Sequence, residues 1–372
     1  MTAPSCPPVG SAEYEARFRQ VAESFHAGNV RAIYLVHGTF VGHDALGLLA
    51  EMGRVFPSAS RTLRHATKRL ADRYIGDAGN FTAQYAERLA AGLRVAGEPD
   101  IPVRLFHWSS ENHHIGRADG AVRLIDELAN LNLPRDGRSL LWGHSHAGNV
   151  FALMTNLLSG NQKKVGAFFD AAQIYFRWPL VGLIDIPLWQ RVARRLKEAD
   201  RPLANHPLDI VTFGTPLRYG WDAEGYSRLL HFVHHRPTPG LRPEQAPFPP
   251  RWNDVAAAAA GDYVQQLGIA GTNTAPSPIA WRTWCADRRL GQLLEAEGST
   301  SQLLEHLAAG RRVADEGTTL LVDYGEVADS LTEHHAGHAL YTRERWKLFH
   351  AEQVAAQLYG QSAKPTAPTA NN

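Results

Sequence analysis

Two hydrophobic rhythms alternate along the chain. Short continuous apolar runs, the mark of strands buried on both faces, fall at Arg31 to Val36, Val103 to Trp108, Leu140 to Trp142, Leu208 to Phe213, Leu229 to Val233 and Thr318 to Val322. Between them lie stretches with apolar residues at helical spacing. These cover Glu13 to Phe25, residues 43–95 with Gly and Pro breaks near 53–57 and 76–79, Ala118 to Leu131, Val150 to Leu158 and a closing Thr342 to Tyr359. Strands and helices taking turns predict an α/β fold, with a mostly parallel central sheet and helices on both faces. In such sheets the chemistry gathers at the carboxyl ends of the strands. Here those ends carry His37-Gly38, Trp108-Ser109, Gly143-His144-Ser145, Gly214-Thr215 and Asp323-Tyr324.

The rhythm breaks at residues 160–207. Phe168, Phe169, Tyr175, Phe176, Trp178, Leu183, Ile184, Leu188 and Trp189 crowd together there, ahead of a basic stretch from Arg191 to Lys197. An insertion at this point predicts a cap over the strand ends, with Phe176 and Trp178 walling an apolar substrate pocket. Ordinary core packing predicts the same composition. The expected organisation is a single domain over 11–359 with cap-like insertions at 41–100, 160–207 and 237–317. Loose tails are expected at 1–10 and 360–372.

The stretch from Ser139 to Val150 concentrates the chemistry. A buried strand (Leu140 to Trp142) runs into Gly143 and Ser145 at a sharp turn, and a helix follows. Strand, Gly-x-Ser turn and helix describe a nucleophile elbow, in which the turn lifts a serine hydroxyl clear of the backbone. Small residues flank the serine because strand and helix must approach closely. The last glycine of the G-x-S-x-G pattern is here Ala147, with Gly148 one step later. A serine hydroxyl is a poor nucleophile until a base takes its proton, and that base needs an acid to orient it. Among the histidines, His334, His335 and His338 follow the last strand, while His144 and His146 flank the serine.

Four segments carry a resemblance: His37-Gly38-Thr39-Phe40, Gly143-His144-Ser145-His146-Ala147-Gly148, Phe213-Gly214-Thr215-Pro216 and Gly337-His338-Ala339. Over roughly residues 30–360 the chain resembles the α/β-hydrolase superfamily, in its lipase and esterase branch. The resemblance implies an α/β-hydrolase fold with an inserted cap. It implies Ser145 as nucleophile and His338 as base, with His335 next in line. The oxyanion donors it implies are His146 together with Thr39 or Phe40. The acid falls between nucleophile and base in chain order, and Asp262 is preferred over Asp254, Asp222 and Asp323. The expected function is that of a serine hydrolase cleaving carboxylic esters of lipid or other apolar acyl substrates through an acyl-enzyme. Amide or thioester cleavage, and a non-catalytic binding protein on the same fold, are the alternatives.

Composition narrows the partners. With 38 Lys+Arg against 37 Asp+Glu, the net charge of +1 leaves no electrostatic footprint for nucleic acid. Cys6 and Cys285 form no C-x-x-C, which argues against a disulfide framework or a thiolate metal site. Glu333 to His338 lacks the H-E-x-x-H order, and there is no Gly-rich phosphate loop, so no metal and no cofactor are expected. No apolar run reaches the ~18 residues of a spanning helix, and Met1 to Gly10 lacks the apolar core of a signal peptide. The expectation is a cytoplasmic protein acting on a small-molecule or lipid ester. That leaves room for transient contact with a membrane surface and for signal-independent export.

Overall fold

The computed structural model describes residues 2–38, 80–134, 136–177, 186–198, 203, 206–216, 218–248, 250–268, 276, 280–294, 312–326 and 334–360. The expectations placed on Thr39, Phe40 and Trp178 lie outside these residues, as does part of each expected insertion.

Among the described residues six parallel strands form one sheet: β1 (Val30–Val36), β2 (Val103–Phe106), β3 (Arg138–His144), β4 (Leu208–Phe213), β5 (Arg228–His234) and β6 (Thr318–Val322), in spatial order β2-β1-β3-β4-β5-β6. The chain steps outward from β1 to β2, then returns across β1 to β3. The direction of winding therefore reverses beside β1 and β3, the place where open α/β sheets take their ligands. In register, Gly143 lies between Val36 of β1 and Thr212 of β4.

Strand periodicity decides which helix each side chain meets. On one face Ala32, Tyr34, Val36, Leu141, Ile210 and Leu229 pack under α3 (His114–Ala129), α4 (Ala147–Leu158), α5 (Gln162–Phe176), α6 (Pro187–Lys197) and α9 (Trp281–Leu294). On the other face Ile33, Leu35, Leu140, Trp142, Val211, Phe213 and Phe232 meet α1 (Ala12–Ala27), α2 (Ala83–Gly92) and α10 (Lys347–Val354). Two short helices, α7 (Trp252–Ala256) and α8 (Tyr263–Gly268), lie between β5 and α9 in the chain. Among the described residues no helix is long and apolar enough to cross a membrane.

The aromatic segment after α4 packs into the first of these faces. The rings of Phe168, Phe169, Tyr175 and Phe176 all lie against Trp189, with Phe176 stacked at 5.2 Å between centroids. The Trp189 indole N–H donates to Asp119 on α3 at 2.7 Å. Phe176 is thus a member of the core cluster that also holds Val150 and Phe151 of α4.

Some boundaries differ from the pattern. Helix α3 begins at His114 rather than near Ala118, because the His113 imidazole caps it by accepting the Gly116 N–H at 2.9 Å. The alanine run stops being helical after Ala256, and Ala258 turns the chain with φ +48°. The closing helix starts only at Lys347. Two tight turns, His338–Leu340 and Glu344–Trp346, precede it.

Several histidines are buried in this core. Burial pushes His231 and His234 down to about 4 and His350 down to about 3. In the unfolded chain such groups titrate near 6.5. Between those values the unfolded chain takes up protons that the folded chain refuses, so this contribution is intact at neutral pH and is lost as pH falls through the window. The urea midpoint should therefore drop steadily from about pH 7 to about pH 4.5. A midpoint flat across that range would show these imidazoles protonated equally in both states.

Candidate active site

Ser145 follows β3 directly and adopts φ +57°, a left-handed conformation that costs a non-glycine residue about 1–3 kcal/mol. The surroundings fix it there. Its N–H donates to the Phe213 carbonyl of β4 at 2.8 Å, and its own carbonyl accepts the Thr215 hydroxyl at 2.8 Å. The helix can begin at once only because side chains are missing. A Cβ on Gly143 would stand 2.4 Å from Phe151, and one on Gly148 would stand 2.2 Å from the Thr215 hydroxyl. The glycine displaced by one position in the sequence pattern therefore meets its own steric demand. Ser145 is 7% exposed, so the turn is covered rather than open.

The end of β1 supplies the opposite wall. A Cβ on Gly38 would lie 2.6 Å from Ser145 Cβ and 3.2 Å from Ser145 Oγ, so only backbone fits beside the hydroxyl. The adjoining His37 carbonyl accepts the Trp108 indole N–H at 2.8 Å, which ties this strand end to the end of β2. At the start of α4 the His146 N–H precedes the first intrahelical acceptor, and the helix dipole favours negative charge there. The His146 imidazole accepts from the Asn149 amide at 3.1 Å, and Asn149 in turn donates to the Pro216 carbonyl at 2.9 Å. Burial pushes His146 well below its ordinary value, assisted by the charge of Arg117, so its ring stays neutral.

His338 and Asp262 come together across the end of β5. His338 Nδ1 donates to Asp262 Oδ2 at 2.8 Å, and both side chains are buried. The same oxygen accepts the Tyr341 hydroxyl at 2.9 Å, while Oδ1 accepts the Gln265 N–H at 2.8 Å. Burial pushes the Asp262 carboxyl up. The neighbouring His338, these hydrogen bonds and the charge of Arg312 outweigh it and hold the group below the usual carboxylate range. The imidazole is aimed from an unusual turn, since His335, Ala336 and Gly337 all have positive φ. The turn docks on the acid segment through the Tyr263 N–H, which donates to the Ala336 carbonyl at 3.1 Å.

His144, the residue before Ser145, is the part of the serine turn that contacts His338. Its ring lies 4.6 Å from that of His338, and its Nε2 contacts the His338 carbonyl at 3.0 Å. His338 Nε2 itself is buried and has no hydrogen-bond partner among the described residues. The groups that proton transfer needs are present: a serine whose backbone is fixed on both sides, an imidazole in contact with the preceding residue and with one nitrogen uncommitted among the described residues, and a buried carboxylate on the other nitrogen.

The other carboxylates weighed as the acid serve elsewhere. Asp222 caps a turn by accepting the Glu224 N–H, Asp323 accepts the Gly325 N–H and pairs with Arg236, and Asp254 lies in the first turn of α7. Asn112 and Arg117, which follow β2, bond each other at 2.9 Å, and Arg117 also donates to the Tyr219 hydroxyl at 3.0 Å. Sequence reasoning missed Tyr341 and Arg312, and singled out Gly38 only as part of the His37-Gly38-Thr39-Phe40 segment, without its steric role beside Ser145. Tyr341 lies one helical turn beyond His338, which is the only signal the chain offers for it. Among the described residues no cluster of His, Cys, Asp and Glu is suited to hold a metal ion.

Comparison of the chain with protein-family models, with curated proteins and with solved structures finds no significant match. The geometry stands on its own.

Two substitutions test it, read as the rate at which an alkyl fluorophosphonate labels Ser145. Asp262→Asn should slow labelling by roughly three orders of magnitude, since the amide cannot support the imidazolium. Asp222→Asn, Asp254→Asn and Asp323→Asn should each cost less than about tenfold. Collapse of one of those three, with Asp262→Asn active, would move the acid there. Gly38→Ala should abolish labelling while leaving the circular dichroism of the fold intact, because among the described residues the side chain its methyl group collides with is that of Ser145. Normal labelling of that variant would separate Gly38 from the site.

Proposed function

We propose that the chain is a serine hydrolase on the α/β-hydrolase plan, cleaving carboxylic esters through an acyl-enzyme on Ser145. One observation carries the reading: the left-handed serine between β3 and α4 directly follows His144, whose ring lies 4.6 Å from a buried imidazole already hydrogen-bonded to a buried carboxylate. Structural serines do not need the strained conformation, and a structural imidazole–carboxylate pair does not need a free nitrogen.

The steps follow from the atoms in place. Ser145 Oγ attacks the ester carbonyl carbon while His338 Nε2 takes the hydroxyl proton. Asp262 accepts the Nδ1–H and stabilises the imidazolium. The negative oxygen that forms lies at the start of α4, where the His146 N–H and the helix dipole meet it. The second donor assigned to Thr39 or Phe40 belongs to the same proposal. As the tetrahedral species collapses, the C–O bond to the alcohol breaks and the alcohol leaves with the proton from His338. Water, deprotonated by the same imidazole, then attacks the acyl-enzyme and returns the acid product and the serine. Apo sites commonly hold the serine–imidazole bond long and tighten it on substrate.

The ester bond is the part of the substrate this site supports best. A preference for apolar acyl groups was expected from Phe176 and Trp178, but the described aromatic rings of that segment are engaged with Trp189 in the core. Thioesters react through the same steps, and a substrate panel separates them from oxygen esters.

The test is a series of p-nitrophenyl esters of rising chain length, run beside fluorophosphonate labelling. The wild-type protein should turn over at least one ester and carry the label on Ser145. Ser145→Ala should lose roughly a thousandfold or more in kcat with the fold retained. No label and no turnover in the wild type, or undiminished turnover in Ser145→Ala, would refute the proposal.

A further inference from the structure

We infer that Arg312 is a positioning residue, whose buried guanidinium ties the His234 carbonyl that holds the Asp262 N–H to the Gln266 side chain one turn beyond Asp262, and so aims His338. The inference rests on the hydrolase reading of the site.

Arg312 stands ahead of β6 in the chain and is 0% exposed. Burying a guanidinium is expensive unless it is well bonded. Its acceptors, among the described residues, are neutral. Nη1 donates to the His234 carbonyl at 2.9 Å and Nη2 to the Gln266 side-chain oxygen at 3.1 Å, while the plane lies over the Tyr263 ring at 5.5 Å. Its own carbonyl accepts from the Gln265 amide at 3.3 Å. These contacts bracket Asp262, since His234 O also accepts the Asp262 N–H at 3.0 Å and Gln266 follows one turn later.

The peptide of His234 is the hub of this clamp. Its carbonyl takes Asp262 and Arg312 together, and its N–H donates to the Tyr341 hydroxyl at 2.7 Å, the same hydroxyl that bonds Asp262 Oδ2. Gly261 makes room for the approach, because a Cβ there would lie 2.3 Å from the His234 carbonyl and 2.8 Å from Arg312 Nη1. A cation whose hydrogen bonds go to neutral oxygens keeps its charge to act on its surroundings. The carboxylate that feels it is Asp262. An arginine present only to fill space would need neither the glycine gap nor the shared carbonyl.

Small displacements of a catalytic group are costly, with about a hundredfold in rate for roughly 1 Å. Arg312→Met, similar in length and uncharged, removes the clamp. Arg312→Lys keeps the charge without the fork. Two readouts apply to the intact protein: the second-order rate of Ser145 labelling, and the downfield proton resonance of the His338 Nδ1–H bonded to Asp262. Arg312→Met should label about a hundredfold more slowly, with the downfield resonance shifted or lost. Arg312→Lys should recover part of both.

Wild-type labelling rate and an unmoved resonance in folded Arg312→Met would overturn the inference and leave the hydrolase reading standing. If Arg312→Met does not fold, Arg312→Gln takes its place, and rates for the Gln and Lys variants equal to wild type overturn the inference. A wild-type protein that takes no label at all removes the hydrolase reading, and this inference with it.

Discussion

A carboxylate that water cannot reach dictates the arrangement at the carboxyl end of the sheet. Asp262 is 0% exposed, and a buried charge is tolerated only where hydrogen bonds and opposite charge replace the lost hydration. Its two oxygens take three donors from three places: the Gln265 N–H within its own helix start, the Tyr341 hydroxyl and the His338 ring. Loss of the Gln265 N–H would strand Oδ1 in a medium that punishes it, while the His338 ring and the Tyr341 hydroxyl share Oδ2. The start of α8, the His338 ring and Tyr341 are therefore held together by one side chain, whose own backbone N–H bonds the His234 carbonyl at the end of β5.

Such convergence requires backbones closer than side chains allow. Gly261 and Gly337 meet almost atom to atom, and a Cβ on Gly337 would stand 2.6 Å from the Gly261 carbonyl. Both have positive φ, +103° and +88°. Each glycine directly precedes one member of the hydrogen-bonded pair, so the contact between glycines is what brings Asp262 and His338 into reach. The strain is larger next door, where His335 and Ala336 hold left-handed conformations at about 1–3 kcal/mol each. Backbone strain of this kind persists only when surrounding bonds over-determine it, as the Tyr263 N–H to Ala336 carbonyl bond does here.

How much of this the sequence discloses depends on the range of the forces involved. The sheet is legible because strands buried on both faces must be apolar throughout, and every such run matches a strand. The serine turn is legible because its constraints are local, with small residues at fixed offsets. The start of α3 is not, since an imidazole does the capping that Ser, Thr, Asp or Asn usually do. The aromatic segment at 168–189 reads equally as cap or core, and only the position of Trp189 sends the described rings inward. Asp262 ranks first by chain order and by Gly261 beside it, which lets the backbone turn the carboxylate inward, but nothing in the sequence shows the partners it meets. Arg312 follows another arginine and looks like a solvated surface pair. Its burial arises from contacts with residues 46 and 78 positions away, which no local pattern encodes.

The two halves of the site also draw on different parts of the molecule. Ser145 is bonded to β4 and opens α4, so it inherits the rigidity of the central sheet and its flanking core. Asp262 and His338 sit beside a small separate cluster of Ala246, Ala260, Tyr263 and Ala336. Left to that cluster, their geometry would be soft relative to the serine. Tyr341 joins the two. Its ring belongs to the large core beneath the sheet, packed against Phe213 and Tyr324, while its hydroxyl bonds Asp262 and the His234 N–H. One aromatic side chain therefore anchors Asp262 and His338 to the strand whose carbonyl holds Ser145, since Phe213 supplies both the ring that Tyr341 packs on and the oxygen that receives the serine N–H.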